Sequence, residues 1–370
     1  MKFAILSFGN YEYDGRLREL YKAFCSLGDT YLLSHGYNKV SDKHCIIQTK
    51  NYFDFVRKSV QWLNKVKCSE EIDVIVLDDR KSTIPGLICK HKYKNDIIFI
   101  EDCRELYDIK DVKHLVGKIG CFFEKKMIEK ADIIICANNE RASAMMKMFS
   151  LEKRPIVFEN IRQLSFSDDF NLDMIKEKYS SYINEGEIRI ISTSGCSLSN
   201  TNDILVKNLK YVSPQYKIRL FLVGDDKSQD YLSMKKLLLN EKKCNIDILG
   251  KLNQNDLKYL IQQSHIGIVN YAQKDLCSRL CASGKLYEFI FENIPIVTTE
   301  NLPLKNLCEK FNIGVADNQY YKGINKVLGD YTFYKKCVSE FKKDHTVENN
   351  IKLFSSNIKK EIRALSSNRL

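Results

Sequence analysis

A chain of 370 residues, 44% hydrophobic and 28% charged, has the composition of a soluble globular protein and the length for two domains with separate cores. No run reaches the roughly 18 apolar residues that a membrane span needs, and the thirteen cysteines are scattered without a CxxC pair. Of the net charge of +11, residues 186–370 carry +9 (28 basic against 19 acidic) and residues 1–185 only +2 (30 against 28), a bias that suits phosphate-bearing ligands or an anionic membrane surface. No RNP-like, helix-turn-helix or zinc-finger signature points to nucleic acid.

Met1–Gly9 is too short for a signal peptide and predicts a first buried strand, so a cytoplasmic protein is expected. That strand is placed at Phe3–Phe8, and further strands are predicted at Asp73–Leu77, Ile97–Ile100, Asp132–Ala137 and Pro155–Phe158, with helices at Gly15–Leu27, Asn51–Lys67 and Gly117–Lys130. A polar, strand-poor stretch follows at Gln163–Glu187. The alternation then restarts with strands at Ile188–Ser192, Arg219–Val223, Asn245–Leu249, Ile266–Val269 and Pro295–Thr298. Two such series imply two doubly wound α/β domains with parallel sheets and a cleft between them. The expected boundaries are 1–165, a linker at 166–187, 188–340, and basic C-terminal helices over 341–370 that return toward the first domain. Cys25, Cys89 and Cys136 lie in apolar runs and are expected to be reduced core residues. Cys277 and Cys281, the closest pair, lack companion ligands, and no metal is expected.

The most informative stretch runs from Ser283-Gly284-Lys285-Leu286-Tyr287-Glu288 to Ile294-Pro295-Ile296-Val297. It predicts a helix, a short break and a buried strand. Small residues and a lysine at a helix start suit a diphosphate, because free N–H groups and the helix dipole favour anions there. A carboxylate one turn in can accept hydrogen bonds from sugar hydroxyls. The plainer alternative is a capped helix feeding a strand.

Other pieces fall in an ordered series. They are Asp14-Gly15-Arg16 after the first strand, Asp102-Cys103-Arg104-Glu105-Leu106-Tyr107, Ala131-Asp132-Ile133, Val157-Phe158-Glu159-Asn160, Leu222-Val223-Gly224-Asp225, Leu249-Gly250 and Ser264-His265-Ile266-Gly267-Ile268. Each is short, but their shared order over the chain resembles the GT-B-fold glycosyltransferases, in particular the GT4-like group that builds bacterial surface polysaccharides such as lipopolysaccharide and capsule. The chain departs from that pattern. The arginine and lysine that follow the glycine of that group's donor loop align with Cys196 and Thr201, after Gly195. The first glutamate of E-x7-E falls on Leu280, leaving only Glu288, and Arg104 stands where the group has histidine.

The resemblance implies a GT-B fold of two Rossmann-like domains and transfer of a sugar from a UDP- or GDP-sugar to a saccharide acceptor, expected to be lipid-linked. It implies no cofactor, no metal and a slight preference for retention. No D-x-D triplet occurs, which argues against the metal-dependent GT-A enzymes. Glu288 is the expected ribose ligand, Lys285 and Arg279 the replacement phosphate cations, and Ser283, Gly284, Gly195 and Gly224 the backbone lining. Gly9, Asn10, Tyr13, Asp14 and Arg16 form an expected ligand-facing loop. Asp102, Arg104 and Glu105 end an inner strand, where a carboxylate could act as a base. Asp78-Asp79-Arg80 is favoured as a turn cap and Arg162 ranks low. Trp62, Phe53, Phe55 and Val56, among Arg57, Lys58, Lys65 and Lys67, form either a membrane-lying helix or, better, one packed on the sheet. Two rivals stay open: a glycosyltransferase-like partner subunit without catalysis, and a GT-B-fold nucleotide-sugar epimerase.

Overall fold

A computed structural model describes residues 1–94, 96–224, 229–239 and 244–367. Asp225, part of the Leu222–Gly224 motif, lies outside the described residues. The chain forms two units: Met1–Asn160 with Asp275–Cys277 and Val347–Leu370, and Ile161–Lys274 with Ser278–Thr346.

The first unit holds β1 (Lys2–Asn10), β2 (Asp29–His35), β3 (His44–Ile46), β4 (Val74–Asp78), β5 (Ile98–Cys103), β6 (Ile133–Cys136) and β7 (Ile156–Val157). They pair in parallel in the order β3-β2-β1-β4-β5-β6-β7. Its helices are α1 (Gly15–Cys25), α2 (Tyr52–Glu70), α3 (Thr83–Tyr93), α4 (Leu115–Ile128) and α5 (Asn139–Met148). Strand order reverses between β1 and β4, so the loops after these two strands define the place where open α/β sheets receive ligands. β2 and β3 were not expected; Thr30, Ser34 and His44 interrupt the apolar signal, yet all three are buried. The Asn51–Lys67 segment is the packed helix α2: Phe55, Ser59, Leu63 and Val66 are buried, leaving Phe53 as an isolated exposed ring. Cys25 corrects an expectation. It ends α1 and is exposed, because the buried face of that helix runs through Leu17, Leu20, Ala23 and Phe24, whereas Cys89 and Cys136 are buried.

The second unit holds β8 (Glu187–Ser192), β9 (Lys217–Val223), β10 (Asn245–Gly250), β11 (Ile266–Val269), β12 (Ile296–Thr298) and β13 (Gly314–Ala316). They are parallel in the order β10-β9-β8-β11-β12-β13, with the reversal between β8 and β11. The three-residue β13 is too short to stand out in the sequence. The helices are α6 (Leu172–Tyr179), α7 (Asn202–Leu209), α8 (Gln229–Leu238), α9 (Gln254–Gln262), α11 (Gly284–Phe291), α12 (Leu302–Phe311), α13 (Tyr320–Gly329) and α14 (Tyr331–Asp344), and the short α10 (Leu276–Arg279) is shared, its first two residues grouping with the first unit. The stretch read as a linker carries α6 and groups with this unit.

The last helix, α15 (Val347–Ser367), groups with the first unit. Its Phe354 ring lies 4.4 Å from that of Phe158 and 5.8 Å from that of Phe24, with Ile358 and Ile362 in the same apolar cluster. Removing a fully buried phenylalanine ring costs about 3–5 kcal/mol. Phe354→Ala should lower the stability of the first unit by that amount, read in denaturant by the fluorescence of Trp62, the single tryptophan. A loss under about 1 kcal/mol, far below that range, would mean α15 is not part of this core.

Candidate functional site

In the second unit the chemistry gathers at α11. Leu286, Tyr287, Phe289 and Ile290 are buried and hold the helix on the sheet. Asn293 then takes a left-handed backbone (φ 60°) that stops the helix and turns the chain into β12. The helix start lies next to the C-terminal end of β8. Lys285 Nζ donates to Ser194 Oγ at 2.9 Å, and Ser194 directly follows Thr193 at the strand exit. Glu288, one turn into α11, is 5% exposed and pairs with Arg162, whose Nη2 is 2.7 Å from Glu288 Oε1. A Cβ on Gly284 would sit 2.6 Å from Arg162 Nε, so glycine is what lets the guanidinium lie across the helix start.

Burial pushes the Lys285 amine down to about 8, although Glu288 supports its charge. Burial also raises the Glu288 carboxyl, against the pull of Arg162 and Lys285. Two donors here have no acceptor: the Ser283 hydroxyl, at the cap position of α11 without making a cap bond, and Arg162 Nε. The Thr193 hydroxyl at the neighbouring strand exit is likewise unpartnered. Buried donors are almost always satisfied. Cationic and hydroxyl donors that exceed the available acceptors make a place for an anion with several oxygens.

The two positions where the resemblance expects cations are committed to the fold. Cys196 is 1% exposed within the apolar core, and the Thr201 hydroxyl meets the Tyr320 hydroxyl at 2.6 Å. Gly195 and Gly224 (φ 62° and 150°) bring two strand ends into contact; a Cβ on Gly224 would stand 2.7 Å from Gly195 Cα. Asn202 Nδ2 fixes this turn by donating to Gly195 O at 2.6 Å. Leu280 is buried and Arg279 is exposed at the end of α10. Sequence reasoning ranked Arg162 low because it lies in an irregular segment far in sequence from Glu288, and it missed Ser194. Position just beyond a strand end was the available signal for both.

In the first unit a second charged cluster sits at the ends of β1, β4 and β5. Arg16, in the first turn of α1, grips Asp102 with two nitrogens (2.7 and 3.2 Å) and donates to Phe158 O at 2.7 Å. Arg104 binds both oxygens of Asp78 and also Asp14, which caps α1 by accepting from Leu17 N–H at 2.9 Å. Burial raises the Asp78 carboxyl and Arg104 opposes it. Asp78, read as a turn cap, is therefore a buried ion-pair partner. Asp102, expected as a candidate base, is fully buried, with both oxygens held by Arg16. Glu105 is exposed and accepts from the Tyr107 hydroxyl. Tyr13 is exposed, Asn10 Oδ1 accepts from Glu12 N–H, and Gly9 N–H donates to Ser7 Oγ.

Breaking a buried pair costs about 3–5 kcal/mol, because the surviving charge is left uncompensated. Asp102→Asn should destabilise the first unit by that amount in the Trp62-monitored melt. A variant with wild-type stability and abolished activity would restore the catalytic reading of Asp102.

No family model and no curated protein matches the chain. Solved structures do. Sucrose-phosphate synthase from Thermosynechococcus elongatus superposes with a TM-score of 0.69 at 12% identity, over 100% of both chains. Anabaena HepE in complex with UDP and glucose gives 0.71 at 14%, over 98% of this chain and 100% of that one. The lipopolysaccharide outer core galactosyltransferase WaaB gives 0.68 at 11%, over 98% and 100%. UDP-GlcNAc 2-epimerase from Neisseria meningitidis, bound to UDP-GlcNAc, gives 0.61 at 9%, over 97% and 100%. With two parallel doubly wound sheets and these full-length structural matches, the chain has the GT-B fold.

Proposed function

We propose that the protein is a glycosyltransferase that moves a sugar from a UDP- or GDP-sugar to a saccharide acceptor. The observation that carries this reading is the set of unpartnered donors, Ser283 Oγ and Arg162 Nε, beside Lys285 and Glu288 at the start of α11. The diphosphate lies against the α11 N-terminus, Ser283 and Lys285. The ribose hydroxyls take the free capacity of Glu288, and Arg162 orients that carboxylate. As the sugar–phosphate bond breaks, charge grows on the leaving diphosphate, and Lys285 and Arg162 supply the stabilisation that Cys196 and Thr201 do not. No metal is needed for that neutralisation. Retention of configuration follows the GT4-like resemblance, with lipopolysaccharide or capsule assembly as the setting. Arg279, exposed, takes a lesser part.

The first unit receives the acceptor, and a lipid-linked acceptor agrees with one surface. Helix α4 exposes Leu115 (73%), Val116 (81%), Ile119 (46%) and Phe122 (52%) along one stripe, flanked by Lys113, Lys118, Lys125 and Lys126. Apolar side chains rimmed by lysines fit the interface of an anionic bilayer. This stripe, rather than α2, is the membrane-facing element at a cytoplasmic membrane surface. No helix among the described residues is long and apolar enough to cross a membrane.

Buried Cys196 and the Thr201–Tyr320 bond keep a second reading in play, a nucleotide-sugar-binding subunit without transfer activity. Calorimetry with UDP, UDP-sugars and GDP-sugars, followed by a product assay, separates the two. Binding with turnover supports the transferase; binding alone supports the subunit; no binding to any of them ends both. A product that is the epimerised donor would instead favour the epimerase reading.

Replacing Glu288 with Gln should weaken donor binding by about 1–3 kcal/mol, the scale of a charged hydrogen bond, with little change in melting temperature, because the surviving Arg162, unlike Arg16, reaches solvent and burial disfavours the Glu288 charge. Unaltered affinity would remove Glu288 from the site. The Lys285 amine titrates near 8 and must be charged to meet phosphate. Donor affinity should hold below that pH and fall above it, by up to about tenfold per unit. Lys285→Ala should lose this pH dependence; retaining it would assign the titration to another group. Val116→Ser with Phe122→Ser should cut binding to phosphatidylglycerol vesicles at least about tenfold, since each buried side chain contributes about 1.5–3 kcal/mol. Equal binding to phosphatidylcholine vesicles, insensitive to salt, would contradict the proposed surface.

A further inference from the structure

A separate cluster lies beneath α4. On β5, Glu101 and Cys103 are two residues apart and so share one face of the sheet, opposite to Asp102. Glu124, on the buried side of α4, covers them. Glu101 is 0%, Cys103 1% and Glu124 6% exposed, and one ligand atom from each lies within 4.8 Å of the others. Both carboxylate oxygens of Glu101 lack any hydrogen-bond partner. A buried carboxylate with nothing to bind is costly, and a second buried carboxyl and a thiol beside it add to that cost. Arg80 is the cation nearby, but its guanidinium is turned to Cys121 Sγ at 3.4 Å and to the Tyr107 ring at 4.5 Å.

We infer that Glu101, Cys103 and Glu124 bind a divalent cation of the zinc class. The donor set decides the class. Two carboxylates and one thiolate suit Zn²⁺ or Co²⁺, whereas Mg²⁺ and Ca²⁺ take oxygen ligands. Three protein ligands leave a fourth position for water. On binding, the Cys103 thiol, and any carboxyl of the pair that holds a proton in the empty site, gives that proton up to solvent as the metal–ligand bonds form. Two carboxylates and a thiolate around a dication leave one negative charge, with Arg80 the nearby cation. The role that follows is structural: the ion ties α4, with its exposed apolar stripe, to the end of β5. The site is independent of the donor-binding groups on α11, so either can fail without the other.

The rival is that these acids are simply protonated. The experiment uses the full chain, purified without chelator and without an affinity tag that binds metal. Metal content is measured by mass spectrometry, and the chelator-stripped protein is then titrated with zinc and with cobalt. The expected results are about one zinc per chain, a melting temperature that rises with zinc, and a thiolate-to-cobalt charge-transfer band in the near ultraviolet. Cys103→Ser should abolish that band, and Glu124→Gln should weaken zinc binding at least about a hundredfold, more than the loss usual for a residue outside the ligand shell. The wild-type cobalt spectrum remains decisive if either variant fails to fold. A stripped protein that takes up neither metal would overturn the inference, as would zinc binding indifferent to Cys103 and Glu124.

Discussion

The account depends on one electrostatic imbalance. At the start of α11 a half-exposed guanidinium and a desolvated amine surround a single buried carboxylate, and hydroxyl donors stand beside them with nothing to accept. Withdrawing Lys285 from water costs the empty site stability at neutral pH, since burial disfavours its charged form. A ligand that returns negative charge recovers that cost. The site is thus matched to an anion by what it lacks, and the geometry ties that match to the helix terminus, where the backbone adds its own partial positive charge.

This imbalance explains how the site carries positive charge without cations at positions 196 and 201. Cys196 and Thr201 have become packing and hydrogen-bonding residues around Asn202 and Tyr320, which hold the glycine contact between the ends of β8 and β9. Positive charge enters from another direction, through Arg162 on the segment after β7 and Lys285 on α11. In the first unit the corresponding strand ends are closed by mutual neutralisation: Arg16 with Asp102, and Arg104 with Asp78 and Asp14. Those pairs leave few free acceptors and argue for a scaffold that shapes a surface rather than for a buried base.

Much of the fold was legible because parallel strands buried on both faces read as apolar runs. β1, β4, β8 and β11 stand out in this way. β2 and β3 did not, because Thr30, Ser34 and His44 occupy buried positions through local hydrogen bonds that the sequence does not announce. The α11 helix and Glu288 were legible from the small residues, lysine and glutamate spaced over one turn. Arg162 was not, because its pairing with Glu288 joins residues 126 apart through tertiary structure alone. The Glu101–Cys103–Glu124 cluster was hidden for the same reason: two members look like ordinary strand residues, and the third is one of many helix glutamates. The basic bias of the second half agrees with an anionic ligand but could not locate it.

The measurement that tests the central claim most directly is a crystal structure of the complex with UDP. The account predicts the diphosphate within hydrogen-bonding distance of the Ser283 hydroxyl, the Lys285 amine and the first backbone N–H groups of α11, with the ribose on Glu288. UDP bound elsewhere, with the Glu288–Arg162 pair and the Ser283 hydroxyl left as they are, would contradict it.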